Sequence, residues 1–456
     1  NHKYGDFSPY LVKSTDQGRT WTSIRGNLPD RNLVWRLVQD HVKPALLFVA
    51  TEFGLYFSVD AGAHWTELQG GVPTISFRDL AIQRRENDLV GASFGRGFFV
   101  LDDYSPLRNV SADQLAQEAT LFAARDAWWY VPRAHLSFDD QKGSQGDAHY
   151  VAENPPFGAV FTYYLKDGLH TPEEQRHEQE KAAAASGADV GFPGWDSLDA
   201  EKMASSPAIV LTVSDANGKV VRQIEGARKK GFHRIAWDLR YPAPEAVSMS
   251  GSSASAAGLM AGPGMYSVQL HKRMDGRMVS LSEPMQFMVK PMHEGALEGA
   301  PHEEVAAFWR RYEAAMGHSS ALALSLSDAM KRADALGVAL ARTPGASAEL
   351  VAQLHDLKTA LKELESEVNG SPSKREVGEK VRPTISSRLF TVQLGIARST
   401  YGPTSTHRQQ LSIVEDMMDG LTSQLSGHID QFHNIGRQIV ALGGPWVEGS
   451  SLPTNN

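Results

Sequence analysis

The sequence predicts a multidomain β-plus-α protein: partial β-propeller blades, an immunoglobulin-like β-sandwich and an antiparallel α-helical bundle, in that order. Three observations predict it. The pattern Ser-x-Asp-x-Gly-x-x-Trp occurs at Ser14, Asp16, Gly18, Trp21 and again at Ser58, Asp60, Gly62, Trp65, with the aspartates 44 positions apart. Self-similarity at such a period signals arrays or propellers. Between 118 and 295, short β-branched and aromatic runs alternate with turn residues, the signature of strands. From 301 onward, apolar residues recur in steps of three and four, the helical period.

Composition bounds the function. At 456 residues the chain is too long for one ordinary core, and roughly two to four domains are expected. A net charge of −8 leaves no basic surplus to neutralise phosphates, which argues against nucleic-acid binding. No apolar run approaches the ~18–20 residues of a membrane span. The absence of cysteine excludes disulfides and thiolate metal sites. The chain opens on polar Asn1-His-Lys-Tyr, which lacks the pattern of a signal peptide, and the expectation is that it begins inside a domain of a longer precursor. Two repeats make about two blades, whereas closed propellers carry about four to eight. The expectation is that the remaining blades come from the same precursor or from another chain.

Residues 1–105 are assigned to the blades. In each repeat the Asp carboxylate is placed to accept backbone N–H groups of a tight turn, Gly to supply positive φ, and Trp to cover the turn. Strands are expected at 34–38, 45–50, 54–59, 79–82, 88–92 and 97–101, and Pro106 marks the exit into a linker. Residues 118–295 are assigned to the sandwich, with insertions at 170–206 and 246–263. Its strands are expected at 159–165, 208–213, 220–224, 231–237, 264–270 and 284–289. Asp215-Ala-Asn217-Gly218 is a hairpin turn in which Asn-Gly favours positive φ at both central positions. The charged, Ala-rich stretch 170–187 is a solvated helix or disorder, and Ser/Gly/Ala-rich 248–262 a flexible loop. Residues 301–443 form the bundle, with stops at Thr343-Pro-Gly, Asn369-Gly-Ser-Pro, Gly402-Pro-Thr and Gly443-Gly-Pro. Its first and last helices approach 40 residues, about 60 Å at 1.5 Å per residue. Short connections make neighbouring helices antiparallel.

The repeated motif looks like the Asp-box of β-propellers, found in sialidases and in the sortilin family, where it is a fold staple that does not touch substrate. The order of parts resembles a bacterial family of Asp-box (BNR-repeat) proteins with a sortilin-like propeller, often labelled glycosyl hydrolases. The matching stretches are Leu47 to Gly62, Ala92 to Asp103, Asn154-Pro-Pro-Phe-Gly158, Arg234 to Pro242, Tyr401-Gly-Pro-Thr404 and Gly443-Gly-Pro-Trp446. The resemblance implies an exported protein, periplasmic or secreted, whose other blades lie outside this sequence. The hydrolase label rests on fold analogy.

Glycoside hydrolysis needs two carboxylates ~5–9.5 Å apart across the scissile bond. The blades offer Glu52, Asp102, Asp103, Arg78 and Arg96, with no spacing that marks a pair. Asp16 and Asp60 are read as turn staples, and Asp102 and Asp103 as strand-end caps. Arg96, between two glycines, is free to project toward a ligand, and Glu52 could share its face. Trp195 sits in an insertion, harder to assign to a core, and is a candidate surface-binding residue. Trp128-Trp129-Tyr130 could stack on sugars, or seal the junction between blades and sandwich. The 16 histidines show no ligand spacing, so no metal or other cofactor is implied. A Ca²⁺ at Asp139-Asp140 or in the Asp215 turn lacks the ligand count of an EF-hand.

The resulting expectation is an exported bacterial binding or scaffold protein with a glycan or peptide ligand and no catalytic residue visible in this portion. Glu52, Arg96, Asp102 and Trp195 are its candidate binding residues. One alternative is a sialidase-like glycoside hydrolase whose active site lies mainly in the other blades. Another is a structural subunit of a cell-surface complex, using the long helices for homo-oligomerisation.

Overall fold

A computed structural model describes residues 2–132, 152–249, 257–293 and 297–450. The molecule is multidomain β plus α, as the two periodicities imply. It divides into two compact units. One is built from the described residues of 1–127, 150–237 and 265–288, the other from those of 128–149, 238–264 and 289–456. Asp139 and Asp140 lie outside the described residues.

The first unit opens with two antiparallel sheets. Strands Val34–Gln39, Leu47–Thr51, Gly54–Ser58 and Thr66–Glu67 pair in sequence order, and Phe77–Gln83, Asp88–Ser93 and Phe98–Leu101 form the next sheet. A two-stranded ribbon, Val12–Lys13 with Thr22–Ser23, flanks the first Asp-box. Phe48, Leu55, Phe77, Leu80, Leu89 and Tyr104 bury a common core between the two sheets. Successive side chains of a strand take opposite faces, so in Leu47–Thr51 Phe48 and Ala50 enter this core while Leu47 and Val49 enter a second one with Trp65.

A charged cluster, not legible as a motif, closes one end of these sheets. Asp40 is fully buried and accepts from Tyr104 Oη (2.7 Å) and from Arg108 Nε (2.9 Å) and Nη2 (2.8 Å). The amides of Val42 and Lys43 donate to it as well. Arg108 also reaches Asn87 Oδ1 (2.7 Å), so one guanidinium ties the turn at 40, the turn at 87 and the exit segment together. Burial alone would raise the Asp40 pKa, but the bonds from Arg108 and Tyr104 outweigh it and hold the carboxyl well below its usual range.

The rest of the first unit is a sandwich. Ala119–Leu121, Ala159–Leu165 and Gly231–Trp237 form one sheet. In the other, Ala208–Asp215 lies between Val220–Gly226 and Gly264–Met274, with Met285–Pro291 beside the last of these. Phe161 meets Phe287 edge-on at 5.3 Å and Trp237 meets Tyr266 at 5.1 Å, so side chains of both sheets interdigitate. The Asp215 turn differs from expectation. Only Gly218 has positive φ (78°), and the Asp215 carboxylate accepts the amides of Asn217 and Lys219. The backbone closes the turn as well, Gly218 N donating to Asp215 O (3.0 Å) and Asp215 N to Lys219 O (2.9 Å), so the carboxylate adds a second set of bonds to it. Residues 172–185 are a capped helix, with Thr171 and Glu174 forming a reciprocal capping box.

In the second unit, Ala257–Met260 is a strand paired with Arg240–Pro242, which corrects the loop reading of 248–262 for those four residues. The reason is a partner that composition does not reveal. The Leu259 amide donates to buried Glu313 on the first long helix, and Arg310 lies 3.6 Å over the Tyr241 ring. A Cβ on Gly258 would stand 2.5 Å from Glu313 Oε1, so the close approach requires glycine. Trp129 belongs to this unit too: its Nε1 donates to Ala261 O (2.8 Å), and its ring lies 6.1 Å from that of Trp309.

The long helices are His302–Leu340 and Ser405–Ala441, of 39 and 37 residues. Between them come Ala348–Asn369, the short Pro372–Glu376 and Ile385–Ile396. Consecutive helices are antiparallel at two junctions: Lys358 pairs with Asp334, and Arg388 with Gln410. The two long helices, however, run parallel. Glu304 pairs with Arg408, Arg311 with Glu415 and His318 with Thr422, a constant offset repeated every seven residues. Ala348–Asn369 and Ile385–Ile396 therefore both run against this pair and make one interrupted limb. A Cβ on Gly370 would lie 3.3 Å from Thr384, so residues 371–383 loop out of that limb.

Removing the Asp40 carboxylate leaves a buried guanidinium uncompensated. Asp40→Ala is expected to destabilise the first unit by roughly 3–5 kcal/mol in urea unfolding at pH 7. Its depressed pKa means the contribution is full above the unfolded value of ~3.9 and is lost as pH falls below it. Stability of Asp40→Asn should accordingly decline less steeply on acidification than that of the parent.

Candidate ligand cavity

The two Asp-box turns are closed on themselves. The Asp16 carboxylate accepts the Thr20 amide (2.9 Å) and hydroxyl (2.7 Å), and Ser14 Oγ accepts the Gly18 amide (2.7 Å). These bonds hold the Asp16 pKa near about 2. In the second turn, Asp60 accepts the His64 amide (2.9 Å) and faces His64 Nδ1 (2.7 Å), and Ser58 Oγ accepts the Gly62 amide (2.8 Å). Burial raises the Asp60 pKa, and its bonds to His64 and Ser58 bring it below the usual value. Both carboxylates are occupied by their own turns.

At the opposite end of the sheets lies an open cavity of about 490 Å³, lined by His2, Phe7, Arg31, Leu33, Trp35, Glu52, Phe53 and Arg78. Strand irregularities build it. In Val34–Gln39 the register to the next strand shifts between Val34 and Arg36, and in Phe77–Gln83 between Phe77 and Asp79. The extra residue is Trp35 in the first case and Arg78 in the second. A bulge re-aims the side chain it inserts. The two meet: the Arg78 guanidinium lies 3.8 Å over the Trp35 ring and 5.1 Å over that of Phe94.

Glu52 locks this pair. Its Oε2 accepts from Trp35 Nε1 (2.8 Å) and Ser76 Oγ (3.1 Å) and faces Arg78 at 3.6 Å. Arg31, at φ +66°, stands 5.6 Å over Phe7 on another wall. Phe53 is half exposed, its amide held by Asn32 and Thr51. The arrangement offers guanidinium donors between ring faces, fixed before a ligand arrives. Among the described residues, Glu52 is the only acid lining the cavity.

The four sequence candidates do not converge. Arg96 is exposed on the turn that joins 88–93 to 98–101, with positive φ at Gly95 and Gly97, and makes no hydrogen bond or ion pair among the described residues. Phe94 of that turn contacts Arg78, so Arg96 and Glu52 share one end of the sheets. Asp102 is at the other end, because Leu101 pairs with Leu89 while Phe98 pairs with Ala92. It lines a separate small cavity of about 100 Å³ with Asp103, Arg125 and Arg234. Burial, then the nearby Asp88 charge, raise its pKa, and Arg234 donates to its backbone oxygen (2.6 Å). Trp195 is 74% exposed and packs edge-on against Phe192 at 5.1 Å, on the 170–206 insertion. Sequence reasoning missed Trp35, Arg31, Phe53 and Ser76. Their one available signal is that Trp35 and Arg78 stand at equivalent places in successive repeats.

No protein-family model matches the chain, and no curated protein matches it. Among solved structures it is similar to the extracellular domain of BT4673 from B. thetaiotaomicron. That protein is described as a one component system in one structure and a hybrid two component system in another. The identities are 11% and 12%, with 63% of this chain covered and a TM-score of 0.17 in both cases. The chain spans about a third of the length of those solved chains (31% and 32%). A likeness of that TM-score carries no argument about function. Among the described residues no helix is long and apolar enough to cross a membrane, and no cluster of potential metal ligands occurs.

Glu52→Ala strips Trp35 Nε1 and Ser76 Oγ of their acceptor, with an expected loss of roughly 1–3 kcal/mol. Glu52→Gln retains an acceptor oxygen and should lose markedly less. Paired urea titrations compare the two directly.

Proposed function

We propose that the chain is part of an exported bacterial Asp-box propeller protein that acts by binding, with the cavity around Trp35 and Arg78 as its ligand site. The observation that carries this reading is the pair of matched bulges. Two successive repeats each spend a strand irregularity to turn one side chain, Trp35 or Arg78, toward the same open space. The donors Arg31 and Arg78 suit acceptor oxygens, and the rings of Phe7, Trp35 and Phe53 suit sugar faces or apolar side chains. A glycan or a peptide is the ligand class. Glu52 is spoken for by three partners, which favours a positioning role over proton transfer.

The competing reading is a glycoside hydrolase. It requires a second carboxylate ~5–9.5 Å from Glu52, supplied by blades outside this sequence.

The test is binding to glycan and peptide arrays, followed by calorimetry on the best ligand. Arg31→Ala and Phe53→Ala each remove an exposed wall group and should weaken binding by about tenfold or more, some 1.4 kcal/mol, at unchanged thermal midpoint. Binding that survives both substitutions places the ligand elsewhere. Release of reducing sugar, abolished by Glu52→Gln, supports the hydrolase instead.

A further inference from the structure

The two Asp-box repeats are equivalent in sequence and unequal in surroundings. Tyr56 and Trp65 of the second repeat are buried, 9% and 4% exposed, in a cluster with Leu11, Leu28, Leu47 and Val49. Much of that cover comes from the first repeat. Trp65 Nε1 donates to Ile24 O (3.0 Å), and Asn27 brackets the Trp65 backbone, accepting its amide (2.6 Å) and donating to its oxygen (3.1 Å). The fit is close: a Cβ on Gly62 would stand 2.9 Å from Ile24.

One period earlier the same positions are bare. Val12, which corresponds to Tyr56, is 56% exposed, and Trp21, which corresponds to Trp65, is 62% exposed. Trp21 Nε1 turns back to Gly18 O (3.1 Å) of its own turn. Gly18, the counterpart of Gly62, would place a Cβ near nothing but Trp21 itself. The strand edge is open as well: Gly54–Ser58 is paired on both edges by strands of its own repeat, whereas its counterpart Val12–Lys13 pairs only with Thr22–Ser23 among the described residues. The bare face is thus the established Trp65 interface continued by one repeat, with one side absent.

We propose that the face of Tyr10, Val12 and Trp21 is the docking surface for a further Asp-box segment. That segment carries an aliphatic residue and, three positions later, an asparagine, just after its own tryptophan, as Ile24 and Asn27 follow Trp21. The asparagine brackets the Trp21 backbone, and a main-chain oxygen takes the indole N–H from Gly18. This deepens the partner side of the propeller reading and is independent of which ligand the cavity holds. A second copy of this chain is a poorer occupant, because its only unit with that pattern already covers Trp65.

Hydroxyl-radical footprinting tests this on the 456-residue chain and on the natural product isolated from its source. Oxidation at Trp21 is read against Trp65 in the same sample. A photo-crosslinker at position 12 identifies what lies there. The expected result is slow oxidation of Trp65 in both samples and of Trp21 only in the natural product, by about tenfold. The crosslink should fall on a segment with the tryptophan, aliphatic, asparagine pattern. Equal oxidation of Trp21 in both samples overturns the proposal. So does concentration-dependent protection in the 456-residue chain alone, which assigns the face to self-association, or a crosslink to a segment without the pattern. Loss of ligand binding at the cavity leaves the footprint unchanged, so the two readings fail separately.

Discussion

The carboxylate of Asp60 is the constraint on which the amino-terminal sheets rest. With Ser58 it satisfies the amides of a turn that would otherwise expose several unpaired donors. The turn then has one direction, and that direction sends Trp65 onto Ile24 and Asn27. Burying an indole with both its N–H and its backbone satisfied contributes area without an unpaired polar group. The strand before this turn carries the pairing that holds Leu47–Thr51, which in turn sets Val34–Gln39 and the bulge at Trp35. A side chain that looks chemically competent in isolation is thus committed to backbone, and the cavity depends on it at one remove.

The two ends of the sheets treat charge in opposite ways. At the Asp40 end a carboxylate, a guanidinium and a phenol are buried together, with every partner in place. Such a cluster specifies one arrangement of two turns and an exit segment, and removing a single member costs roughly 3–5 kcal/mol. At the Glu52 end a carboxylate and a guanidinium are partly exposed, and the guanidinium of Arg78 rests on rings. There the bonds fix side chains that still face solvent, which is the condition for a preorganised ligand surface. The difference between staple and site lies in access, since the chemistry of the groups is the same.

Much of the architecture was legible because it is written in local pattern. The Asp-box spacing, the strand runs and the stripe from Leu411 to Ile439 each need only neighbouring residues. What escaped depends on residues far apart in sequence. Asp40 and Arg108 are separated by most of two sheets, and nothing near either marks the pair. Ala257–Met260 is too poor in side chains to announce a strand, and forms one against Arg240–Pro242 beside Glu313. Short connections suggested helices alternating in direction, and the looped-out stretch 371–383 let two helices share one direction instead. In the cavity, Glu52 was visible as a strand-end acid, but Trp35 read as one more apolar residue. A one-residue register shift changes which face a side chain takes, and alternation alone cannot show it.

Amide hydrogen exchange at the second Asp-box gives the most direct test that its aspartate is a mechanical part. In the parent chain the amides of Gly62, His64 and Trp65 should exchange slowly, with the sheet. In Asp60→Ala they should exchange by local opening, faster by an order of magnitude or more, as the lost acceptor frees the turn. Unchanged protection at His64 and Trp65 in that variant would contradict the assignment and return Asp60 to the list of residues free for chemistry.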